Sequence, residues 1–303
     1  MTEVVSTQIR PVLVLVMDGI GTASTPTNTS GVLDDAVDVV MNGLNEATRR
    51  LVVWPASYGP VGGGQSWSQS ADIGVAEAEN IIANHPDHDI VIMAYSGGNL
   101  IAKRLLERRP DLHSRVVAMG RLSDPWRPRQ RWQNGTPDPG GWGVCGEEMG
   151  PIPDRTYWTS APAIWRWLNP PKRRNNRDLP ALTLADPISS ASEKSLLRPF
   201  ADGTDYLGNN PKAFFEDVRN VTEKNNAQIL LELTKLRQNP FAYIFSLGPR
   251  IDVTVQEIFA YLFHGQHTTA YVEPFKTTDG SMKSLSTRLG DTVLHKTLRR
   301  APR

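Results

Sequence analysis

Along the first 120 residues, apolar blocks that read as buried strands alternate with segments in which apolar positions recur at helical spacing. The run PVLVLVMDG, Pro11 to Gly19, is apolar almost throughout. Such a run suits a strand covered on both faces, as in a parallel sheet. The loop GIGTASTPTNTSG follows, and then LDDAVDVVMNGLNEATR, whose spacing predicts a helix as far as Arg49. RLVVWPA predicts a second strand ending at Pro55, and GPVGGGQSWSQS a glycine-rich loop. SADIGVAEAENIIANHP predicts a helix with Ser70 or Asp72 as N-cap. HDIVIMAYS, GGNLIAKRLLERRP and SRVVAMG predict a third strand, a third helix and a fourth strand. Strand and helix in regular alternation is the pattern of right-handed βαβ units, and predicts a three-layer α/β domain around a parallel sheet.

From Arg121 to about Asp178 this pattern stops. Pro, Gly, Trp and Arg dominate, and a long irregular segment is expected there, with NPPKRRNNRD as an exposed excursion. LPALTLADPISS returns to strand-like apolarity and ends at Asp186-Pro187. Two stretches with helical patterns follow, PKAFFEDVRNVTEKNNAQILLELTKLRQNPFAYIFSLG and DVTVQEIFAYLFHG. The reading is a core made of residues 1–194 and 259–303, with a helical subdomain of residues 195–258 inserted between them. The polar stretch from KTTDGSMKSLSTRLGD onward is expected to be loosely ordered.

Composition narrows the function classes. With 39% hydrophobic and 21% charged residues among 303, a packed core is expected. A net charge of +1 argues against a broad nucleic-acid footprint, and the basic clusters at Lys172–Arg174 and Arg299-Arg300 read as a solvated loop and a tail. The single cysteine, Cys145, rules out an intrachain disulfide. No apolar run reaches the roughly 18 residues of a membrane span. The first residues lack the basic, apolar and small-residue order of a secretory leader, so synthesis in the cytoplasm is expected, with release by a route such as lysis. Three of the eight tryptophans, Trp158, Trp165 and Trp167, fall close together and read as buried core or as the rim of an apolar or carbohydrate site.

The candidate chemistry begins at AYSGG. Ser96 follows a buried strand and precedes a helix, which is the setting of a nucleophile elbow. The turn demands small residues two before and two after the serine, and Ala94 and Gly98 meet that demand. The backbone N–H of Gly97 is a candidate oxyanion donor, with a second near Ile20 in the loop after the first strand. Asp186, at the end of the strand ALTLA, and His267, after the helical block, complete the chain order Ser, Asp, His of α/β-hydrolases. His264 remains an alternative base, although capping of a helix end accounts for it, and Asp18, Asp124, Asp202 and Asp205 are rival acids. Metal-ligand spacing is absent: His264 and His267 have no evident third partner. The dinucleotide fingerprint fails too, because DGIGTAS lacks the third glycine and no acidic residue ends the second strand. No metal or cofactor is expected.

The motifs VLVMDGIGT, VVWPASYGPVGGGQSWSQSADIGVAEAENII, IVIMAYSGGNLIAKRL, LADPISSASE and GQHTTAY, in that order, resemble the cutinase-like serine esterases. Within them they resemble most the lysin B group, the mycolylarabinogalactan esterases of phages that infect mycobacteria and their relatives. The resemblance spans most of residues 10–275. It implies an α/β-hydrolase fold of the cutinase-like kind, with Ser96 as nucleophile, Asp186 as orienting acid and His267 as base. It implies a helical linker in the block near 195–258. It further implies an activity on the ester joining mycolic acids to arabinogalactan in the host's outer envelope, by a monomer without cofactor, set free at lysis. A generic lipase, cutinase-like esterase or acyltransferase acting on other lipid esters, and a non-catalytic envelope-binding protein, are the competing readings.

Overall fold

A computed structural model describes residues 10–58, 65–133, 136, 138–148, 152–161, 186, 188–190, 267–276 and 280–299. Five parallel strands form the central sheet: β1 (Val12–Met17), β2 (Ala47–Leu51), β3 (Asp89–Tyr95), β4 (Val116–Leu122) and β5 (Thr156–Thr159). Their spatial order is β2-β1-β3-β4-β5. The chain therefore winds outward from β1 to β2, crosses back, and continues outward through β3. That reversal places a crevice between the carboxyl ends of β1 and β3, where open α/β sheets bind ligands.

The apolar continuity of β1 has its reason in two cores. Leu13, Leu15 and Met17 point to one face, against α2 (Trp67–Ala83) and α3 (Asn99–Arg108). Val12, Val14 and Val16 point to the other, where α1 (Asp34–Asn42) and the C-terminal helix pack. A two-residue period feeding two covered faces leaves no position polar, as expected for an inner parallel strand.

Several boundaries differ from expectation. The first helix ends at Asn42, and Gly43 packs so tightly on Leu294 that an added Cβ would lie 2.2 Å from it. The second strand comes earlier than expected, at Ala47–Leu51, because its polar edge sequence ATRRL pairs with β1 in register from Val12↔Ala47 to Val16↔Leu51. Val52 and Trp54, expected inside that strand, lie buried just after it. The N-cap of helix α2 lies four residues before Ser70: it is Ser66, which forms a capping box with Gln69. Ser70 is instead buried, its hydroxyl accepting from the Ser57 N–H. The irregular segment after Arg121 contains β5, and β4 continues to Leu122.

The C-terminal stretch is also ordered. After a short helix α4 (Thr269–Val272) and a two-stranded ribbon of β6 (Phe275–Lys276) and β7 (Met282–Lys283), helix α5 runs from Leu285 to Leu298. Ser284 caps it, accepting from the Thr287 N–H. Leu285, Leu289 and Val293, spaced at i, i+4 and i+8, form a buried stripe, with Leu294 packed beside it. The strand expected before Asp186 and the helical block expected at 195–258 lie outside the described residues. Among the described residues, no helix is long and apolar enough to cross a membrane.

Helices α1 and α5 touch at Gly290, where an added Cβ would meet the Ala36 carbonyl oxygen at 2.6 Å. Alanine would favour the helix by about 1 kcal/mol. The clash is with backbone, which cannot rotate aside, and overpacking of this kind costs about 1–3 kcal/mol. Gly290→Ala is therefore expected to destabilise the protein by about 1–2 kcal/mol, read as a lower urea midpoint at unchanged m.

Candidate active site

Ser96 stands immediately after β3 in a left-handed conformation, with φ at 50°. Such a φ is costly for a residue with a Cβ, and it persists only where the surroundings enforce it. The enforcement is visible on both sides. Gly98 passes so close to β1 that an added Cβ would lie 2.2 Å from the Met17 carbonyl oxygen, so only glycine fits. Ala94, two residues before the serine, is buried and its methyl is accommodated. The Trp67 indole N–H donates to the Gly97 carbonyl (3.2 Å), and Trp67 in turn packs its ring on Trp126 and Tyr58. Asn99, the first residue of α3, donates to the carbonyls of Ser96 (3.1 Å) and Leu122 (3.0 Å), tying together the ends of β3 and β4.

The loops carrying the two candidate oxyanion donors meet, with the Ile20 side chain 2.5 Å from a Cβ added on Gly97. An added Cβ on Gly97 would lie 3.4 Å from the Ile20 backbone nitrogen. The loop carrying Ile20 is fixed by Asp18, whose carboxylate accepts from the Gly19 N–H (2.8 Å), the Ser30 N–H (2.6 Å) and the Ser30 hydroxyl (2.7 Å). Burial pushes the Asp18 carboxyl above its ordinary value, and these hydrogen bonds work against that rise. Asp18 is thus a loop anchor, and it is not the acid that faces the histidine.

Ser96, His267 and Asp186 come together although the chain separates them widely. The Ser96 hydroxyl lies 2.8 Å from His267 Nε2, and His267 Nδ1 lies 3.3 Å from Asp186 Oδ1. All three are buried. The imidazole is held from behind: the Tyr95 ring stacks on it at 5.2 Å, and the Tyr95 hydroxyl donates to the His267 carbonyl at 2.5 Å. His264 lies outside the described residues, as do Asp202, Asp205, Trp165 and Trp167. Asp124 is engaged elsewhere. It makes an Asx turn to the Trp126 N–H (2.9 Å), accepts from the Trp158 indole (2.8 Å), and pairs with Arg121.

Asp186 is the most heavily solvated group in the site, with protein in place of water. Its Oδ2 accepts from the hydroxyls of Ser123 (2.5 Å), Tyr271 (2.6 Å) and Ser189 (3.2 Å), and its Oδ1 from the Ile188 N–H (3.0 Å). Burial alone would raise its pKa. The charge of His267 and hydrogen bonds from His267, Ser123 and Tyr271 outweigh burial and hold the carboxyl below its ordinary value. Tyr271 stays a phenol, its pKa pushed well up by burial and by the adjacent carboxylate.

Two buried arginines brace this arrangement. Arg127 donates to the carbonyls of Ser189 (2.5 Å), Arg131 (2.9 Å) and Gly141 (3.0 Å), and so clamps the acid loop to the proline- and glycine-rich segment beside it. Arg121 bonds Asn99 Oδ1 (3.0 Å) and pairs with Asp124 and Glu148, behind the elbow. Sequence patterning singled out none of Ser123, Arg121 or Arg127. The sequence signals were indirect: a serine one residue past a strand end, and arginines in an otherwise apolar or proline-rich setting. Trp158 and Trp126 are buried supports of this network, which settles the first as core. Among the described residues, no group of three or more His, Cys, Asp or Glu could hold a metal ion.

A parallel sheet of order 2-1-3-4-5, a strained serine between strand and helix, and a histidine and carboxylate converging on it define an α/β-hydrolase fold. Similar solved structures include esterases, a cutinase and a phage lysin. They include an acetylxylan esterase, 18% identical over 69% of this chain and 99% of that one, with a TM-score of 0.40. They include lysin B from Mycobacteriophage D29, 17% identical over 50% of this chain and 64% of that one, also at 0.40. Trichoderma reesei cutinase in complex with a phosphonate inhibitor is a third, 18% identical over 68% and 75% at 0.36. No protein-family model and no curated protein sequence matches the chain.

Tyr271→Phe removes a donor to Asp186 and the acceptor of the Ala161 N–H (3.1 Å), and is expected to cost about 1–3 kcal/mol at neutral pH. Because folding depresses the Asp186 pKa, its stabilisation is full above the unfolded carboxyl value of about 3.9 and is lost as pH falls through the lower folded value. The gap between wild type and Tyr271→Phe in urea unfolding is therefore expected to narrow as pH is taken below about 4.

Proposed function

We propose that the chain is a serine ester hydrolase, and that its substrate is the ester joining mycolic acids to arabinogalactan. The observation that carries the catalytic reading is the 2.8 Å contact of Ser96 Oγ with His267 Nε2 on a strained elbow. A serine hydroxyl attacks a carbonyl only when a base takes its proton in the same step. His267 Nε2 is at the distance that transfer requires.

In this reading Ser96 Oγ bonds the ester carbonyl carbon as its proton passes to His267 Nε2. The negative charge moves to the carbonyl oxygen, which the N–H groups of Gly97 and Ile20 receive. His267 returns the proton to the leaving alkoxide, and the C–O bond breaks to leave an acyl-Ser96. Water, deprotonated by the same nitrogen, attacks the acyl-enzyme and restores the hydroxyl. Asp186 stays ionised throughout and balances the imidazolium. The low Asp186 pKa fits that role.

The finer substrate reading rests on the ordered motifs from VLVMDGIGT to GQHTTAY. It places the enzyme on the envelope after release from the cell that made it. Ser96→Ala should retain the fold by circular dichroism. It should lose hydrolysis of a short p-nitrophenyl ester and labelling by a fluorophosphonate probe, with kcat down by about a million-fold. Retained turnover would overturn the catalytic reading, and binding of wild-type protein to cell-wall material without labelling would mark an envelope-binding protein instead. The substrate is decided by incubating wild-type protein with mycobacterial cell wall, triacylglycerol and acetylated xylan in parallel. Release of free mycolic acid from the first is expected. Acyl release confined to the others would replace that substrate with a general lipid or carbohydrate ester.

A further inference from the structure

Among the described residues, Ser123 and Asp186 each bring an oxygen within reach of His267 Nδ1, and the nearer is not the acid. Ser123 Oγ lies at 2.8 Å and Asp186 Oδ1 at 3.3 Å. Ser123 Oγ also lies 2.5 Å from Asp186 Oδ2. A hydroxyl has one proton to give. The contact with an ionised carboxylate, an acceptor only, consumes that proton, since two bare oxygens at this separation would repel. The lone pairs of Ser123 Oγ are then what faces Nδ1, so Nδ1 must carry a hydrogen and donate it. Nε2 is left bare, ready for the Ser96 proton.

We propose that Ser123 is a positioning residue: Asp186 sets the tautomer and orientation of His267 chiefly through the Ser123 hydroxyl, which is interposed between them. The inference rests on the serine-hydrolase reading for its catalytic consequence, while the hydrogen-bond order itself does not. No proton travels along the chain Nδ1–H to Ser123 Oγ, Ser123 O–H to Asp186. The hydroxyl is polarised by the carboxylate and passes that orientation on.

The backbone supports this placement. Ser123 has φ at 47°, nearly the value at Ser96, and the residues before them, Leu122 and Tyr95, are paired neighbours on β4 and β3. Its N–H continues the ladder to the Thr159 carbonyl (3.0 Å), and Asn99 holds the Leu122 carbonyl. Ser123 is fully buried. A serine without a task at this position would be a poorer choice than glycine, which adopts this φ freely.

The test combines a spectroscopic reading with a kinetic cycle on the full chain. With histidine labelled in its ring nitrogens, the His267 Nδ1 proton of wild type is expected downfield. It should move upfield in Ser123→Ala and in Asp186→Asn, and no further in the double variant. In ester hydrolysis, Ser123→Ala should lower kcat by about 10- to 100-fold, the loss of one charge-assisted hydrogen bond, with KM little changed. In the Asp186→Asn background the same substitution should cost less than about threefold, because the group it relays is gone. An unmoved Nδ1 proton in Ser123→Ala, or effects on kcat that multiply in the double variant, would falsify the relay. Ser123→Gly, which lacks the hydroxyl but relieves the φ, repeats each reading if the alanine variant does not fold. If wild-type protein turns over no ester, the hydrolase reading fails on its own and the proton resonance still decides the role of Ser123.

Discussion

The structure turns on how close β3 brings its following turn to β1. Gly98 passes within contact distance of the Met17 carbonyl, and the serine two residues before it is driven into a left-handed conformation. Sheet order makes this crowding unavoidable. β1 and β3 are neighbours with opposite onward paths, so both turns leave the sheet at the same edge. The Ile20 and Gly97 backbones then stand together, with Asp18 fixing the one loop and the Trp67 indole holding the other. The fold thus brings the strained serine and the two loops that flank it to one edge of the sheet as one consequence of packing.

The acid is a different problem, because it is a buried charge on a loop. A carboxylate moved out of water needs its hydration replaced, and at Asp186 three hydroxyls and one backbone N–H do this. These donors come from the end of β4, from α4 and from the acid's own loop, so the charge itself draws the three together. Arg127 is a further buried charge beside the acid. Among the described residues it donates to the carbonyls of Ser189, Arg131 and Gly141 and to the Ser190 hydroxyl, which joins the acid's loop to the segment after β4. The proline-, tryptophan- and arginine-rich stretch is in this respect a scaffold for the acid loop.

The sheet and the elbow were legible because their signals are local. An unbroken apolar run such as PVLVLV means two covered faces, and small residues around a serine after such a run mean a tight turn. The edge strand β2 was misplaced because ATRRL carries no such signal, and its pairing to β1 is a tertiary fact. The order of helix α5 is hard to see in the sequence because its buried stripe of Leu285, Leu289 and Val293 is interleaved with polar residues. Its stability comes from Gly290 and the contact with α1, which no window of sequence displays. Ser123 is silent in the sequence for the same reason: it gains meaning only from a histidine and an aspartate far along the chain.

The pair of serines at the ends of β3 and β4 bears on why both positions are not glycine. A left-handed conformation costs a residue with a Cβ about 1–2 kcal/mol, and glycine would remove that cost at either site. At Ser96 the hydroxyl must be there, since it is the group that faces Nε2. At Ser123 the same strain is tolerated beside Nδ1, on the opposite side of the same ring. Fold stability by itself favours glycine twice. What the strain holds in place at these two positions is a hydroxyl at each ring nitrogen, so in the proposed reading the two strand ends form a matched seat for the imidazole.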